Sequence, residues 1–276
     1  MMKKDWNTKW RYTMCAVAFS LCLIGPGPAA AQERSYLTPA ESAAKAKAVI
    51  QRAITAMGGD AYLKVRDITC EGRLAGFGSQ GLLSGYERVF DQVLYPDKNR
   101  TEYNKKRNVI TVNNGDHGWS LDRGGVTELP AEQGERFREN LNVDIHYLFR
   151  FRMEEEGMTF RFGGVQMVDL KPADWVEIMD RDRRVIKIAF AQSTGLPIRA
   201  EFVTRDPETR VRTEQTEYYS NYHAVGGVQT ALRIWRERNG RMFYQVFWDV
   251  CSYNTGLAES HFTREALDQV WAKLKK

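Results

Sequence analysis

The residues of this chain that could do chemistry are four histidines, a glycine-rich hexapeptide, a run of glutamates and a few cysteines. Gly76-Phe77-Gly78-Ser79-Gln80-Gly81 has the G-x-G-x-x-G spacing that lets backbone amides cradle a pyrophosphate. That use requires the glycines to join a strand to a helix N-terminus. Here a second apolar strand, Leu82 to Tyr95, follows instead, so the glycines are expected to shape a turn. His117, His146, His223 and His261 include no i, i+4 pair, and no cysteine pair stands beside any of them, so the spacing builds no zinc site. His146 stands out because its neighbours are apolar. Glu154-Glu155-Glu156 reads as a solvated helix end, and Gly81-Leu82-Leu83-Ser84-Gly85 lacks the spacing of a G-x-S-x-G nucleophile elbow. No catalytic residue, metal or cofactor is therefore expected, although residues scattered along a chain can still converge on an active site.

The N-terminus carries a different signal. Lys3, Lys4, Lys9 and Arg11 form a basic region, Met14 to Ile24 is an uncharged apolar run, and Pro26-Gly27-Pro28 precedes Ala29-Ala30-Ala31-Gln32. This is the order of a secretory signal peptide with a small-residue cleavage site, and the apolar run is too short for the roughly 20 residues a membrane span needs. The expected organisation is a signal peptide over 1–31 and one β domain over 32–276, exported to the periplasm. Removing 31 residues with four basic and one acidic side chain turns the formal charge from +5 (40 against 35) to +2 (36 against 34). Charges of both signs are interspersed, so no nucleic-acid partner is indicated.

The elements that would position a site follow from periodicity. Thr38-Pro39-Ala40-Glu41 is a capping box with proline at the first helical position. It opens a helix that closes at Gly58-Gly59. From Val65 the period falls to two. Ile68, Cys70 and Leu74 share one face, and the alternation returns around Ile186, Ile198, Leu232 and Met242 to Val250. Turn signals at Asn113-Asn114-Gly115-Asp116, Asp180-Arg181-Asp182, Ser193-Thr194-Gly195, Gly226-Gly227 and Asn239-Gly240 imply short hairpins and antiparallel neighbours. The pattern predicts a single curved sheet with one wet face. Two further helices are expected, from about Pro130 to Glu155 and from Thr263 onward. Cys70 is in phase with the apolar face while Cys251 is out of phase with Val246, Trp248 and Val250. Two free thiols are thus expected unless a bulge intervenes.

The 13 Phe, 12 Tyr and 7 Trp fit either an ordinary sheet core or an apolar concavity that three helices leave partly open. The order of elements resembles the LolA-like family of periplasmic lipoprotein carriers, in particular its outer-membrane lipoprotein-sorting members. The likeness rests on the capped helix into Ala56-Met57-Gly58-Gly59, the strands, the central helical insertion, Thr194-Gly195-Leu196-Pro197-Ile198-Arg199, Tyr222-His223-Ala224-Val225-Gly226-Gly227-Val228, and a final strand pair. The resemblance implies a mainly β protein with helices (α+β), an unclosed antiparallel β-barrel under a helical lid. It also implies a non-enzymatic carrier of lipid or lipoprotein acyl chains, which would meet transfer proteins of the inner and outer membranes.

In such a fold the ligand-binding lining would be Ile186, Phe190, Ile198, Phe202, Leu232, Ile234, Tyr244, Val246 and Trp248. The stripe Phe137, Leu141, Ile145 and Leu148 would be the lid. The rivals are a structural or regulatory envelope protein with a packed β core, and an enzyme. N-terminal sequencing of exported protein is expected to begin at or near Gln32; a mature chain retaining Trp10 would contradict the signal peptide.

Overall fold

The computed structural model describes residues 37–275, apart from residue 207. The expected signal peptide lies outside the described residues. Helix α1 (Pro39–Ala56) starts at the expected capping box: the Glu41 amide donates to Thr38 Oγ1 at 3.3 Å, and the Thr38 amide donates to Glu41 Oε2 at 2.8 Å. Its apolar stripe, Ala46, Val49, Ile50, Ala53 and Ile54, is buried. Gly58 ends it with φ +125°, and a Cβ there would strike the Gly227 carbonyl, so only glycine fits this approach. The short α2 (Asp60–Leu63) leads into the sheet.

The first six strands form a meander: β1 (Asp67–Phe77), β2 (Leu83–Leu94), β3 (Lys98–Tyr103), β4 (Val109–Asn114), β5 (His117–Asp122) and β6 (Gly125–Glu128). A helical passage follows, made of α3 (Ala131–Val143), α4 (Ile145–Tyr147) and a π-turn (Leu148–Arg152). A second meander then runs through β7 (Thr159–Val168), β8 (Lys171–Met179), β9 (Val185–Ala191), β10 (Pro197–Arg205), β11 (Arg212–Val225), β12 (Val228–Arg238) and β13 (Arg241–Tyr253). A 3-10 turn (Glu259–Phe262) and α5 (Arg264–Leu274) complete the chain.

All 13 strands belong to one antiparallel sheet in the order β6-β5-β4-β3-β2-β1-β13-β12-β11-β10-β9-β8-β7. Strands β6 and β7 are its free edges, so the barrel does not close. Among the described strands, the two meanders are hydrogen-bonded to each other where β1 pairs with β13.

Pleat phase shows what each face carries. On the inner face, α1 and the helical passage cover Ile178, Ile186, Ile188, Phe190, Ala200, Phe202 and Tyr219 to make the main core. The outer face is not uniformly wet, as the alternation suggested. In β3, Thr101 and Tyr103 point inward, while Arg100 and Glu102 point outward with their cross-strand partners Val112 and Ile110. On that outer side Ile110, Val112 and Leu121 pack against Phe262 and Leu267, so the C-terminal turn and α5 cover it. A smaller cluster, Val168, Ala173, Trp175 and Ala189, takes in Ile198. Ile198 lies in a register irregularity between Pro197 and Arg199, which turns it away from the inner face that Ala200 and Phe202 share.

The helix expected from about Pro130 to Glu155 is broken. Asp144 is extended (φ −70°, ψ 123°) and its carboxylate accepts from the Tyr147 amide at 2.6 Å, capping α4. Arg152 fixes the break from below. It donates to the Asn142 carbonyl at 2.7 Å and to Asp180 at 3.0 Å, and both Arg152 and Asp180 are buried.

The expectation of two free thiols is overturned: Cys70 and Cys251 form a disulfide, with Cα atoms 4.1 Å apart. The physical reason is a bulge. Glu71 faces Val250 but Gly72 faces Trp248, so Asp249 is the extra residue on β13. That one residue restores Cys251 to the inner face and leaves Val250 56% exposed. A Cβ on Gly72 would collide with the Phe247 carbonyl and Trp248, so glycine is required opposite the bulge.

The bridge closes a separation of 181 residues across the seam between the meanders. Thiol titration of the unfolded, unreduced protein beginning near Gln32 is expected to find no free thiol. Replacing both cysteines by serine is expected to cost about 2–5 kcal/mol in denaturant unfolding; one or two titratable thiols in the oxidised protein would contradict the pairing.

Candidate functional site

Helix α1 and the helical passage do not reach the whole inner face. Where β1, β2, β3, β12 and β13 come together, a cavity of about 560 Å³ remains, within the ~300–1,000 Å³ range of ligand-holding clefts. Leu74, Val89, Ile234, Val246 and Trp248 supply its apolar wall, and Phe77, Ser84 and Phe243 line the end toward the β1–β2 hairpin. The Cys70–Cys251 bridge lies on the same face, two residues along β1 from Gly72 and so beside Trp248.

Polar groups are few and fixed. Asp91 accepts from Thr101 Oγ1 at 2.7 Å and Asn99 Nδ2 at 3.0 Å, both at Oδ1. Burial pushes its carboxyl above the usual range despite those bonds. Glu217 is 9% exposed, and its Oε2 accepts from Arg236 Nη2 at 2.5 Å and Nε at 3.1 Å. Burial works against the Arg236 charge, but the neighbouring carboxylate prevails and holds the guanidinium above the usual arginine range. Arg236 also lies over the rings of Phe202 and Tyr244, 5.3 Å and 5.5 Å from their centroids. Burial raises the phenols of Tyr103 and Tyr244, which both line the cavity and stay neutral.

Of the nine lining residues expected from sequence, the fold gathers Ile234, Tyr244, Val246 and Trp248 around this cavity. Ile186, Phe190 and Phe202 are buried in the core beneath α1 and the helical passage, Leu232 is half-buried, and Ile198 packs on the other face. The expected lid stripe divides at Asp144. Ile145 and Leu148 are fully buried in the main core, whereas Phe137 and Leu141 on α3 are half-buried. The lining contributed by Leu74, Val89, Asp91, Thr101, Tyr103 and Glu217 was not anticipated. The alternation of β1 and β2 marked an inner face, but nothing local shows that this face meets β13. A second cleft of about 590 Å³ between α3 and the β8–β9 turn is charged, with Arg138, Arg184, Arg205 and Arg212 beside Glu135 and Glu139.

The histidines have separate settings. His117 stacks on Trp119, His223 bonds Asn221 at the surface, and His261 bonds Gln92 at 2.8 Å. His146 is half-buried beside Tyr62 and Tyr219, with Nδ1 3.0 Å from the Tyr62 hydroxyl. Burial, reinforced by the Arg150 charge, pushes its pKa down to about 3.

This architecture is that of the LolA-like open barrel. A domain from Vibrio parahaemolyticus described as an outer membrane lipoprotein-sorting protein domain superposes with a TM-score of 0.55 at 13% identity, covering 82% of this chain and 99% of its own. A DUF1329 family protein from Desulfovibrio piger gives 0.56 at 14% identity (80% and 98% covered). A LolA superfamily protein from Nitrosomonas europaea gives 0.51 at 14% (80% and 99%). No family model matches the chain, and no curated protein matches it in sequence. The likeness is therefore one of fold.

His146, half-buried between Tyr62 and Tyr219, carries a pH signature. An unfolded histidine takes up a proton near pH 6.5 while His146 resists until about pH 3. Its neutral burial therefore contributes stability that is lost as pH falls through that window. The stability advantage of wild type over His146→Gln is expected to shrink by about 1 kcal/mol per pH unit on acidification from pH 6.5, measured by denaturant unfolding. Asp91 and Asp144, both raised by burial, titrate in both proteins and drop out of the difference. A gap independent of pH would contradict the assignment.

Proposed function

We propose that the chain is a periplasmic carrier that holds lipid or lipoprotein acyl chains in the cavity at the β1–β13 seam. The observation that carries this reading is an apolar cavity of about 560 Å³ on the inner face of an unclosed sheet, left open beside a core that is otherwise packed. Each acyl methylene moved there from water is worth about 0.8 kcal/mol. A chain of a dozen or so methylenes can thus be held without specific polar chemistry, before ordering costs reduce the gain. The fold likeness to a domain described as lipoprotein-sorting supports the reading, and the proposal includes no catalytic step.

In this reading Ile234, Tyr244, Val246 and Trp248, with Leu74 and Val89, contact the acyl chain. Ile145 and Leu148 root the helical passage in the core, and α3, with Phe137 and Leu141, is the part free to shift.

The structural or regulatory alternative draws on a different observation. Ile186, Phe190 and Phe202 are sealed beneath α1 and the helical passage, so the inner face of the second meander is packed core there. Native mass spectrometry of protein purified from the periplasm distinguishes the two, since a carrier is expected to retain lipid mass. Ser84 is exposed and lines the cavity, so Ser84→Trp obstructs it while sparing the core. That variant is expected to bind a neutral apolar dye about tenfold more weakly than wild type, a loss of ~1.4 kcal/mol, with unchanged thermal unfolding. Absence of both lipid mass and dye binding in wild type would favour the alternative.

A further inference from the structure

The hairpin turns of the second meander fall into two sets, one at each end of the sheet. At one end, residues 180–184, 205–212 and 238–241 close β8–β9, β10–β11 and β12–β13 and hold eight arginines against four carboxylates. At the other end, residues 169–171, 192–196 and 226–227 hold one lysine and one aspartate. Among the described residues, Arg184 alone of the eight arginines forms an ion pair, shared with Asp180, Asp182 and Glu139. The Asp206 carboxylate is taken by Arg136 from α3. The first end therefore carries an excess of positive charge that the fold itself does not neutralise.

Strand register concentrates this charge. Arg205 stands opposite Arg212 and Arg238 opposite Arg241, and all four are exposed. Like charges directly opposite on paired strands repel, so two hairpins of the same end close on repulsion. The arginines also run on from turn to turn. Arg184, Arg205 and Arg212 line the charged cleft beside α3, while Arg205 and Arg238 line a smaller one of about 160 Å³. Arg241 Nη1 then donates to the Ser79 carbonyl in the β1–β2 turn at 3.0 Å. That turn holds no charged residue, and its Leu82 and the adjoining Leu83 are exposed, as is Val211 between Arg210 and Arg212. Phe77 and Ser84, on either side of the same turn, line the seam cavity.

We propose that this arginine rim docks the protein on an anionic phospholipid bilayer, with the β1–β2 turn and the Phe77 end of the seam cavity facing the membrane. Three features favour a bilayer over a single bound anion. The positive charge is spread over three successive turns instead of converging on one point. Exposed apolar side chains stand among the arginines, as at a surface that meets both head groups and the outer acyl region. The repulsion within the two arginine pairs is relieved by many phosphates at once, each arginine near an anionic leaflet strengthening attachment about fivefold. The proposal rests on the charge of the rim and does not require the carrier reading; where that reading holds, docking places the cavity beside its source of acyl chains.

The test is co-sedimentation of the protein beginning near Gln32 with vesicles of phosphatidylcholine alone or mixed with phosphatidylglycerol. Wild type is expected to bind the mixed vesicles, to leave them at high salt, and to ignore the neutral ones. Replacing the exposed pair, Arg205→Gln with Arg212→Gln, is expected to weaken binding about twentyfold without lowering the thermal transition, because it removes a repulsive pair. Lys171→Gln, at the opposite end of the sheet, is expected to bind like wild type. A polarity-sensitive dye attached through Ser79→Cys in the β1–β2 turn is expected to shift to the blue on the mixed vesicles, and one attached through Ser193→Cys at the other end is not. Equal binding to both vesicles, binding to neither, or binding that survives loss of the arginine pair overturns the proposal. So does displacement from the vesicles by soluble glycerol phosphate, the mark of a discrete anion site, or a dye response at Ser193→Cys instead of Ser79→Cys. Uptake of a neutral apolar dye by the arginine-pair variant is read separately, so failure to dock and failure to carry are distinguished.

Discussion

The pairing of β1 with β13 is the constraint on which the rest of the structure depends. Every other neighbouring pair of strands in the sheet is adjacent in sequence and can form from a short turn. This pair alone brings together residues about 180 apart, so it bears the loop-closure entropy of the whole domain. Three features hold it. The bulge at Asp249, opposite Glu71 and Gly72, corrects the phase, Gly72 leaves room for Trp248, and the Cys70–Cys251 bridge staples the two strands. Without the seam there would be two meanders, each with an exposed edge and neither able to enclose a cavity.

The seam also explains why the cavity lies where it does. Helix α1 and the passage from α3 to the π-turn pack against the inner face of the second meander, while α5 packs on the outer face of the first. The two covers lie on opposite sides of a continuous sheet. The inner face of β2, β3 and the Leu74 end of β1 is consequently left open, and the cavity lies there. The polar groups placed in it, Asp91 and the Glu217–Arg236 pair, come from strands on both sides of the seam. A site made in this way exists only when both meanders are joined.

Much of the fold is legible in the sequence because its determinants are local. The Thr38–Glu41 capping box, the closing Gly58, the hairpin turns and the period-two strands depend on residues a few positions apart, and each stands where the pattern places it. The glycine hexapeptide forms a turn, with the Gly78 amide bonded to the Leu82 carbonyl at 2.8 Å. What the sequence conceals is non-local or turns on a single inserted residue. One bulge residue reverses the expected state of both cysteines, and one register irregularity sends Ile198 to the outer face. The break at Asp144 is held by Arg152 reaching Asn142 and Asp180, contacts that no helical periodicity reveals. Four of the nine expected lining residues surround the cavity because β12 and β13 adjoin the seam; Ile186, Phe190 and Phe202 obey the same phase but lie under α1.

The central claim is that a greasy ligand occupies the inner face at the seam, and mapping a photoreactive neutral alkyl probe tests it most directly. Irradiation of the folded protein followed by peptide mass spectrometry is expected to place adducts on β1, β2 and β13, around Leu74, Val89, Val246 and Trp248. Labelling confined to the outer face, or spread without preference over exposed residues such as Leu82, Met167 and Leu170, would contradict the account.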